Sequence, residues 1–296
     1  MQFSTCYLNG RYLPLKEASV SATDRGLLFG EGLFESWRTY RGRPFAVKEH
    51  LERLSRSARL LRIPFDAKAD WEARSRALVR RNHLGDQGVV IRLTITRGGG
   101  PVSLVPKAVN RPTQLILLRA IEGNIGQARA DGVAVHLFDC GGGVDPGLRA
   151  IKTVNYVPAV LGKIAAAEHG CFESIYRLPD RTLLEGTTTN LFIVKNGTLY
   201  TEPVAAGVLP GVTRALVMKL AARIARVRET AITSDDLRRC DEAFLTASSI
   251  EIVPIVAIDK RRAAGGKPGP ITRELQRRYR LHVARRLGLR VDDLGD

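Results

Sequence analysis

The chain has 296 residues, 44% of them hydrophobic and 26% charged, a balance that excludes a disordered or collagen-like chain and fits two domains or one large one. No run approaches the ~18 apolar residues of a membrane span, and the start, with Arg11, Lys16 and Glu17, lacks a leader's apolar core, so the cytoplasm is the expected compartment, with no membrane contact. The 46 basic and 30 acidic side chains give +16, yet the arginines are spread from Arg11 to Arg290, with no zinc finger, RNP-like motif or basic–aromatic interleaving; a solvated arginine-rich surface is expected, and nucleic acid is not an expected partner.

Residues 5–13 (TCYLNGRYL) predict a hairpin, two short apolar runs about Asn9-Gly10. A short strand is expected at 44–47. A helix follows at 48–62, where Leu51, Leu54, Ala58 and Leu61 share one face and Pro64 closes it. An arginine-rich helix is expected at 70–82, then strands at 88–96 and 114–119. The polar stretch 120–132, with three glycines, reads as a linker. Beyond it come a strand at 133–138 and an alanine-rich helix at 154–169 stopped by Gly170. Strands at 173–178 and 190–194 lead to a second turn, Asn196-Gly197. A helix at 213–226 has Leu216, Leu220 and Ile224 four apart. Strands at 242–246 and 252–258 and a basic helix at 271–288 complete the pattern. Strands mixed with helices in both halves imply a mixed α/β (α+β) architecture. The expected division is a small N-terminal α/β domain at 1–119, a linker at 120–132 and a larger domain at 133–296.

Cys6, Cys140, Cys171 and Cys240 form no CxxC and read as small buried hydrophobes. The histidines are never at metal-ligand spacing, and no metal is expected. His50 lies one helical turn before Arg53 and could orient it; alone it reads as an ordinary polar contact. Gly30-Glu31-Gly32 has two glycines of a dinucleotide fingerprint but lacks the third, and it precedes the strand-like Leu33-Phe34-Glu35.

Five segments stand in order along the chain. They are Asp24-Arg25-Gly26 with Phe29-Gly30-Glu31-Gly32-Leu33-Phe34-Glu35, then His50-Leu51-Glu52-Arg53-Leu54, then Ile151-Lys152-Thr153-Val154-Asn155-Tyr156. Leu184-Glu185-Gly186-Thr187-Thr188-Thr189-Asn190-Leu191-Phe192 and Leu209-Pro210-Gly211-Val212-Thr213-Arg214 follow. Together, from about Tyr7 to about Asp259, they resemble the class IV (fold-type IV) pyridoxal-phosphate aminotransferases. That family holds branched-chain and D-amino-acid aminotransferases, R-selective amine transaminases and aminodeoxychorismate lyases.

The resemblance implies pyridoxal 5'-phosphate bound as a Schiff base to Lys152, and makes the domain at 133–296 the cofactor-binding one. Such an amine moves protons at the substrate carbon once its own proton affinity is lowered. Glu185 is implied as the carboxylate that keeps the cofactor's ring nitrogen protonated. The phosphate needs fixed donors. Arg53 offers a forked guanidinium, and Gly211 lets the amides of Val212 and Thr213 reach it from a helix N-terminus. Ser248 and Ser249, in Ala247-Ser248-Ser249, resemble a second phosphate-and-carboxylate loop. Thr189 matches a hydroxyl near the cofactor ring. Asn155-Tyr156 resembles the branched-chain members, where the tyrosine bonds the phenolic oxygen, although one residue fewer separates it from Lys152.

The subgroup is read from fewer residues. Branched-chain members usually have Gly-Ile-Arg where this chain has Ser36-Trp37-Arg38, and a tyrosine where it has Val90, two before Arg92. Thr96-Arg97-Gly98 and Thr187-Thr188-Thr189-Asn190 resemble the D-amino-acid and lyase subgroups. The D-amino-acid subgroup has a tyrosine at Phe34 and an Arg-x-His carboxylate trap where this chain reads Pro101-Val102-Ser103-Leu104. The reading is therefore a D-amino-acid type transaminase acting on amino acids and 2-keto acids, with Arg92 binding the substrate carboxylate and Phe34 lining the site. Aminodeoxychorismate lyase and branched-chain L-aminotransferase are the alternatives, and a basic nucleic-acid binder on a dead scaffold is the alternative of another class. The resemblance also implies a homodimer.

Overall fold

The computed structural model describes residues 3–106, 111–121, 123–141, 145–259 and 261–295. The described residues divide into two compact units, one drawn from Met1–Ile121, Ile151–Asn155 and Leu287–Gly295, the other from Glu122–Ala150 and Tyr156–Arg286. No helix among them is long and apolar enough to cross a membrane.

The first unit opens with the expected hairpin, β1 (Thr5–Leu8) and β2 (Arg11–Pro14), with Leu8 opposite Arg11 across the two-residue turn. Asn9 and Gly10 both take positive φ, the requirement of a type I′ turn. A one-turn helix α1 (Arg25–Phe29) leads to β3 (Gly32–Tyr40) and β4 (Arg43–Pro44). The strand expected at 44–47 stops early, because Ala46 adopts a left-handed conformation and turns the chain into α2 (Val47–Leu60). That helix ends at Leu60, before Pro64, and Arg62 in the turn beyond it also has positive φ. Then come α3 (Trp71–Arg81), capped by Asp70, and strands β5 (Val89–Thr96) and β6 (Gln114–Ala120). The antiparallel sheet has the order β2-β1-β6-β5-β3-β4.

Alternation along β3 and β5 sorts their side chains. Leu33, Trp37, Ile91, Leu93 and Ile95 share a core with Leu54 and Ala58 of α2 and Trp71 and Leu78 of α3. Each fully withdrawn Leu or Ile contributes roughly 1.5–3 kcal/mol. The opposite face carries Phe34, Ser36 and Arg38 of β3 and Val90, Arg92 and Thr94 of β5, with Ser36 paired to Arg92.

The second unit holds a helix within the polar stretch 120–132. Residues 125–131 form α4 (Ile125–Asp131), whose Ile125, Ala128 and Arg129 are buried. Its apolar signal is too short to stand out among polar neighbours, and Arg129 is buried because it pairs with Glu251. Next are β7 (Val133–Asp139), the short α5 (Pro146–Arg149) and α6 (Val157–Glu168). Helix α6 starts three residues later than expected, at Val157, with Pro158 in its first turn. Gly170 follows it with positive φ, as expected. Then come β8 (Glu173–Arg177), β9 (Thr182–Gly186), β10 (Asn190–Lys195) and β11 (Thr198–Thr201), the last two joined at Asn196-Gly197.

Helix α7 (Val212–Ala221) is shorter than the expected 213–226. A turn follows Ala221, and Arg226, the last residue of the expected helix, instead opens β12 (Arg226–Glu229), which runs parallel to β11. Finally come β13 (Ile232–Thr233), α8 (Ser234–Arg239), β14 (Glu242–Ala247), β15 (Glu251–Ile258), β16 (Arg261–Arg262) and α9 (Pro270–Leu287). This sheet runs β12-β11-β10-β14-β15-β7-β8-β9-β13, with β16 on β15.

One buried group here is sensitive to pH. Glu202 follows β11, and Ile232 N–H donates to its carboxylate at 2.9 Å. Burial, only partly offset by that bond, pushes its carboxyl up to about 7. The folded value lies above the unfolded one, so its contribution is complete below about 4.5 and is lost as pH rises through about 7. Glu202→Gln is expected to flatten the melting temperature between pH 5 and 8 and to stabilise the fold at pH 8, by up to about 3 kcal/mol. Thermal melts of both proteins across that range check this; parallel curves would count against it.

Candidate active site

In the first unit, the Ile151–Asn155 segment lies along the start of β3. Phe34 N–H donates to Lys152 O and Val154 N–H to Gly32 O, both at 3.0 Å. Leu33 and Thr153 form an isolated bridge. The glycines of Gly30-Glu31-Gly32 serve this approach. Gly30 has positive φ, and a Cβ there would collide with Asn155 Oδ1; a Cβ on Gly32 would press on Val154.

The pairing brings three of the expected residues together. Lys152 Nζ lies 4.5 Å from the centroid of the Phe34 ring. The Arg92 guanidinium lies 3.5 Å from the same centroid, and its Nε donates to Thr94 Oγ1 at 3.3 Å. Both cations are attracted to the ring's quadrupole.

Behind Phe34, on the core side of β3, Glu35 meets α2. Arg53 donates to it from Nε and Nη2, both at 2.7 Å. His50 Nδ1 lies 2.6 Å from Glu35 Oε2. All three are buried. Burial alone would raise Glu35; the charge and hydrogen bonds of Arg53, with the bond from His50, outweigh it and hold the carboxyl at about 2. Burial lowers His50, against the pull of Glu35. Beside an ionised Glu35, the Nδ1 of His50 is the donor of this bond. His50 lies one turn from Arg53, as expected, but orients that residue through a shared partner. Two of Arg53's nitrogens hold Glu35, so a phosphate would need its other donors.

In the second unit, Glu185 is near the end of β9 and Asn190 begins β10, and Gly186 N–H donates to Thr189 O across the turn between them. Asn190 Nδ2 donates to Glu185 Oε2 at 2.8 Å and to Leu209 O at 2.9 Å. Leu209 N–H reaches both Glu185 oxygens at 3.1 Å. Burial, then the charges of Glu173 and Glu185, push the Tyr176 phenol up, and Tyr156, at the N-cap of α6, adds to this.

Gly211 caps α7 without a side-chain bond, and a Cβ on it would collide with Asn190 Oδ1. The first turn of α7 holds no acidic residue. Thr213 Oγ1 and Ser248 Oγ are 3.5 Å apart beside it, and Ser249 follows in the same turn. Two hydroxyls and the first amides of a helix are a donor set that fits a phosphate, and a fixed carboxylate such as Glu185 fits a protonated ring nitrogen. The residues present therefore suit pyridoxal phosphate. Val212, Thr213, Ser248, Glu185, Thr189 and Tyr156 belong to the second unit, and Lys152, Phe34, Arg53 and Arg92 to the first.

Sequence reasoning misses two carboxylates. Glu35 stands within the first of the five ordered segments, but nothing local shows that it gathers His50 and Arg53. Glu173 is fully buried, and its signal is a lone charge within the strand-like Phe172-Glu173-Ser174-Ile175-Tyr176.

A family model described as amino-transferase class IV matches residues 32–258. The chain is 37% identical, over 97% of its length and 99% of the relative's, to a putative branched-chain-amino-acid aminotransferase of Methanocaldococcus jannaschii. It is 31% identical to a D-alanine aminotransferase of Bacillus licheniformis, covering 90% of this chain and 93% of that one. Among solved structures, a branched-chain amino acid aminotransferase of T.th., complexed with N-(5'-phosphopyridoxyl)-L-glutamate, is similar with a TM-score of 0.84 and 28% identity, covering 97% of this chain and 96% of that one. The Escherichia coli branched-chain aminotransferase gives 0.83 and 27%, with 93% of each chain covered. With that match and these relatives, the chain belongs to the class IV aminotransferases, pyridoxal-phosphate enzymes of fold type IV.

Proposed function

We propose that this enzyme, a cytoplasmic homodimer, moves the amino group of an L-amino acid with an apolar, branched side chain to a 2-keto acid. The observation that carries the reading is Arg92, set on the Phe34 ring that also faces Lys152. A guanidinium fork suits an α-carboxylate, and a carboxylate bound there would lie near the Lys152 amine that shares the Phe34 ring. Val90 and Phe34 lie on the same face of the sheet as Arg92, and both are buried.

Bound pyridoxal phosphate supplies the electron sink for breaking the α C–H bond. The chain supplies the rest. Lys152 would hold the cofactor and would move the proton at the substrate α-carbon. Glu185, fixed by Asn190 and Leu209, keeps the ring nitrogen protonated. Val212, Thr213 and Ser248 bind the phosphate, with Arg53, and Tyr156 and Thr189 flank the ring. Ser249 and Phe34 border the substrate. For the homodimer, α6 offers an apolar stripe, Val157, Val160, Leu161 and Ile164, exposed by about half or more.

The second reading is transfer from a D-amino acid such as D-alanine, and the 31%-identical relative favours it. Of the residues that resemble that subgroup, Thr96 and Arg97 are occupied structurally. Thr96 Oγ1 donates to Asp24 at 2.8 Å, and Arg97 donates to Glu31 and to the carbonyls of Leu61 and Arg62. The carbonyls of Pro101, Ser103 and Leu104 accept from Arg25. These residues therefore weigh little on the handedness of the substrate. The test is to mix the cofactor-loaded enzyme with L-leucine or D-alanine alone and follow its visible absorbance. Loss of the band with L-leucine, with one equivalent of the branched keto acid, is expected. Loss with D-alanine and pyruvate, and none with L-leucine, would replace the first reading by the second.

A further inference from the structure

Glu173 is the most heavily bonded buried carboxylate of the second unit, and no step above uses it. All its partners donate. Thr187 Oγ1 lies at 2.6 Å, Thr188 Oγ1 at 3.0 Å, Thr188 N at 3.4 Å and Thr189 Oγ1 at 3.4 Å. Ser174 N–H adds a bond at 2.9 Å, and Lys163 Nζ of α6 an ion pair at 3.2 Å. Six donors exceed the about four lone-pair sites of a carboxylate. The side chain thus draws in every hydroxyl of the turn that joins Glu185 to Asn190.

Two consequences follow from chemistry. A threonine hydroxyl whose proton is committed to a carboxylate has only lone pairs left, so it meets any further group as an acceptor. The turn also closes tightly on Glu173. A Cβ on Gly186 would collide with Thr189 Oγ1 and fall 2.9 Å from Glu173 Cγ, so the peptide after Glu185 is held between them. A neutral amide at 173 would donate in part, turn hydroxyls around and loosen that peptide.

We infer that Glu173 is a positioning residue for the cofactor: through the Thr187–Thr189 turn it presents an acceptor-only arc to the ring and fixes Glu185 against the ring nitrogen. This rests on the reading of Glu185 and Thr189 as ring partners. Lys163, half-exposed on α6, balances the charge without touching the turn.

The test compares Glu173→Gln, Glu173→Asp, Lys163→Met and Glu185→Ala with the wild type. Three quantities are read: the affinity of the apoenzyme for pyridoxal phosphate by fluorescence titration, the pH midpoint of the bound cofactor's colour change, and the melting temperature of the apoenzyme. Glu173→Gln is expected to weaken cofactor binding by about tenfold or more and to move the pH midpoint by about half a unit or more. Glu173→Asp is expected to recover part of both, and Lys163→Met to leave the midpoint in place. Lowered melting with unmoved affinity and midpoint would make Glu173 merely structural and overturn the inference. If Glu173→Gln does not fold, Thr189→Val, which keeps the carboxylate, is expected to move the midpoint, and an unmoved midpoint there overturns it equally. A wild type that takes up no cofactor, or a Glu185→Ala that binds it normally, would instead sink the site reading itself.

Discussion

Lys152→Ala is expected to abolish covalent capture of pyridoxal phosphate and to cut turnover roughly ten-thousand-fold, the combined loss of a nucleophilic amine and a positioned proton carrier. The fold is expected to survive, because the segment docks on β3 through its backbone. Phe34 N–H bonds the carbonyl of residue 152 whatever its side chain, and the bond from Val154 N–H to Gly32 O is untouched. The ammonium leaves behind the Phe34 ring, which Arg92 still covers. Borohydride reduction followed by peptide mass analysis checks the result. The wild type gains the cofactor's mass on the peptide containing Lys152; a variant that gains it elsewhere, or keeps its turnover, removes Lys152 from the centre of the mechanism.

Glu35→Gln is expected to produce a large loss of stability, about 3–5 kcal/mol. The carboxylate is buried between Arg53 and His50. An amide of the same shape leaves Arg53 without its counter-charge and faces His50 Nδ1–H with a weaker acceptor. A fall in melting temperature of roughly 10 °C follows. The pH dependence has a definite sign. Glu35 titrates at about 2 when folded, below its ordinary 4.5, so its contribution is present above about 4.5 and is lost as pH falls towards 2. The variant should lack that part of the acid limb. A variant that melts within about 2 °C of the wild type at pH 7 would mean that the clamp contributes little beyond position.

Local chemistry makes much of this architecture legible. Asn9-Gly10 and Asn196-Gly197 announce their hairpins because a two-residue turn needs two positive φ values. Gly170 marks its helix end for the same reason. What stays hidden is set by distant partners. Helix α4 is anchored by one isoleucine, an alanine and an arginine whose counter-charge, Glu251, lies far along the chain. Arg226 reads as the end of a helix, and β12 goes unread, until β11 is available to pair with it. Lys152 is legible only through five ordered segments, since nothing around it alone separates it from a surface lysine. Arg53 reads as a phosphate ligand on chemistry that any buried arginine offers, and the strand residue Glu35, which takes two of its nitrogens, cannot be seen from α2.

The docking of the lysine segment also bears on how the protein is made. Asn155 bonds Gly30 across 125 residues of chain, and Arg43 bonds Leu287 across 244. At ordinary rates of synthesis, the sheet strands around Phe34 exist for on the order of ten seconds before their lysine-bearing neighbour has been translated. Closing so long a loop adds little free energy, because each doubling of length costs only about 0.6 kcal/mol. The separation is thus a matter of timing more than of stability. A nascent chain stalled before residue 151 would carry every strand of the first sheet but not the segment that docks on β3.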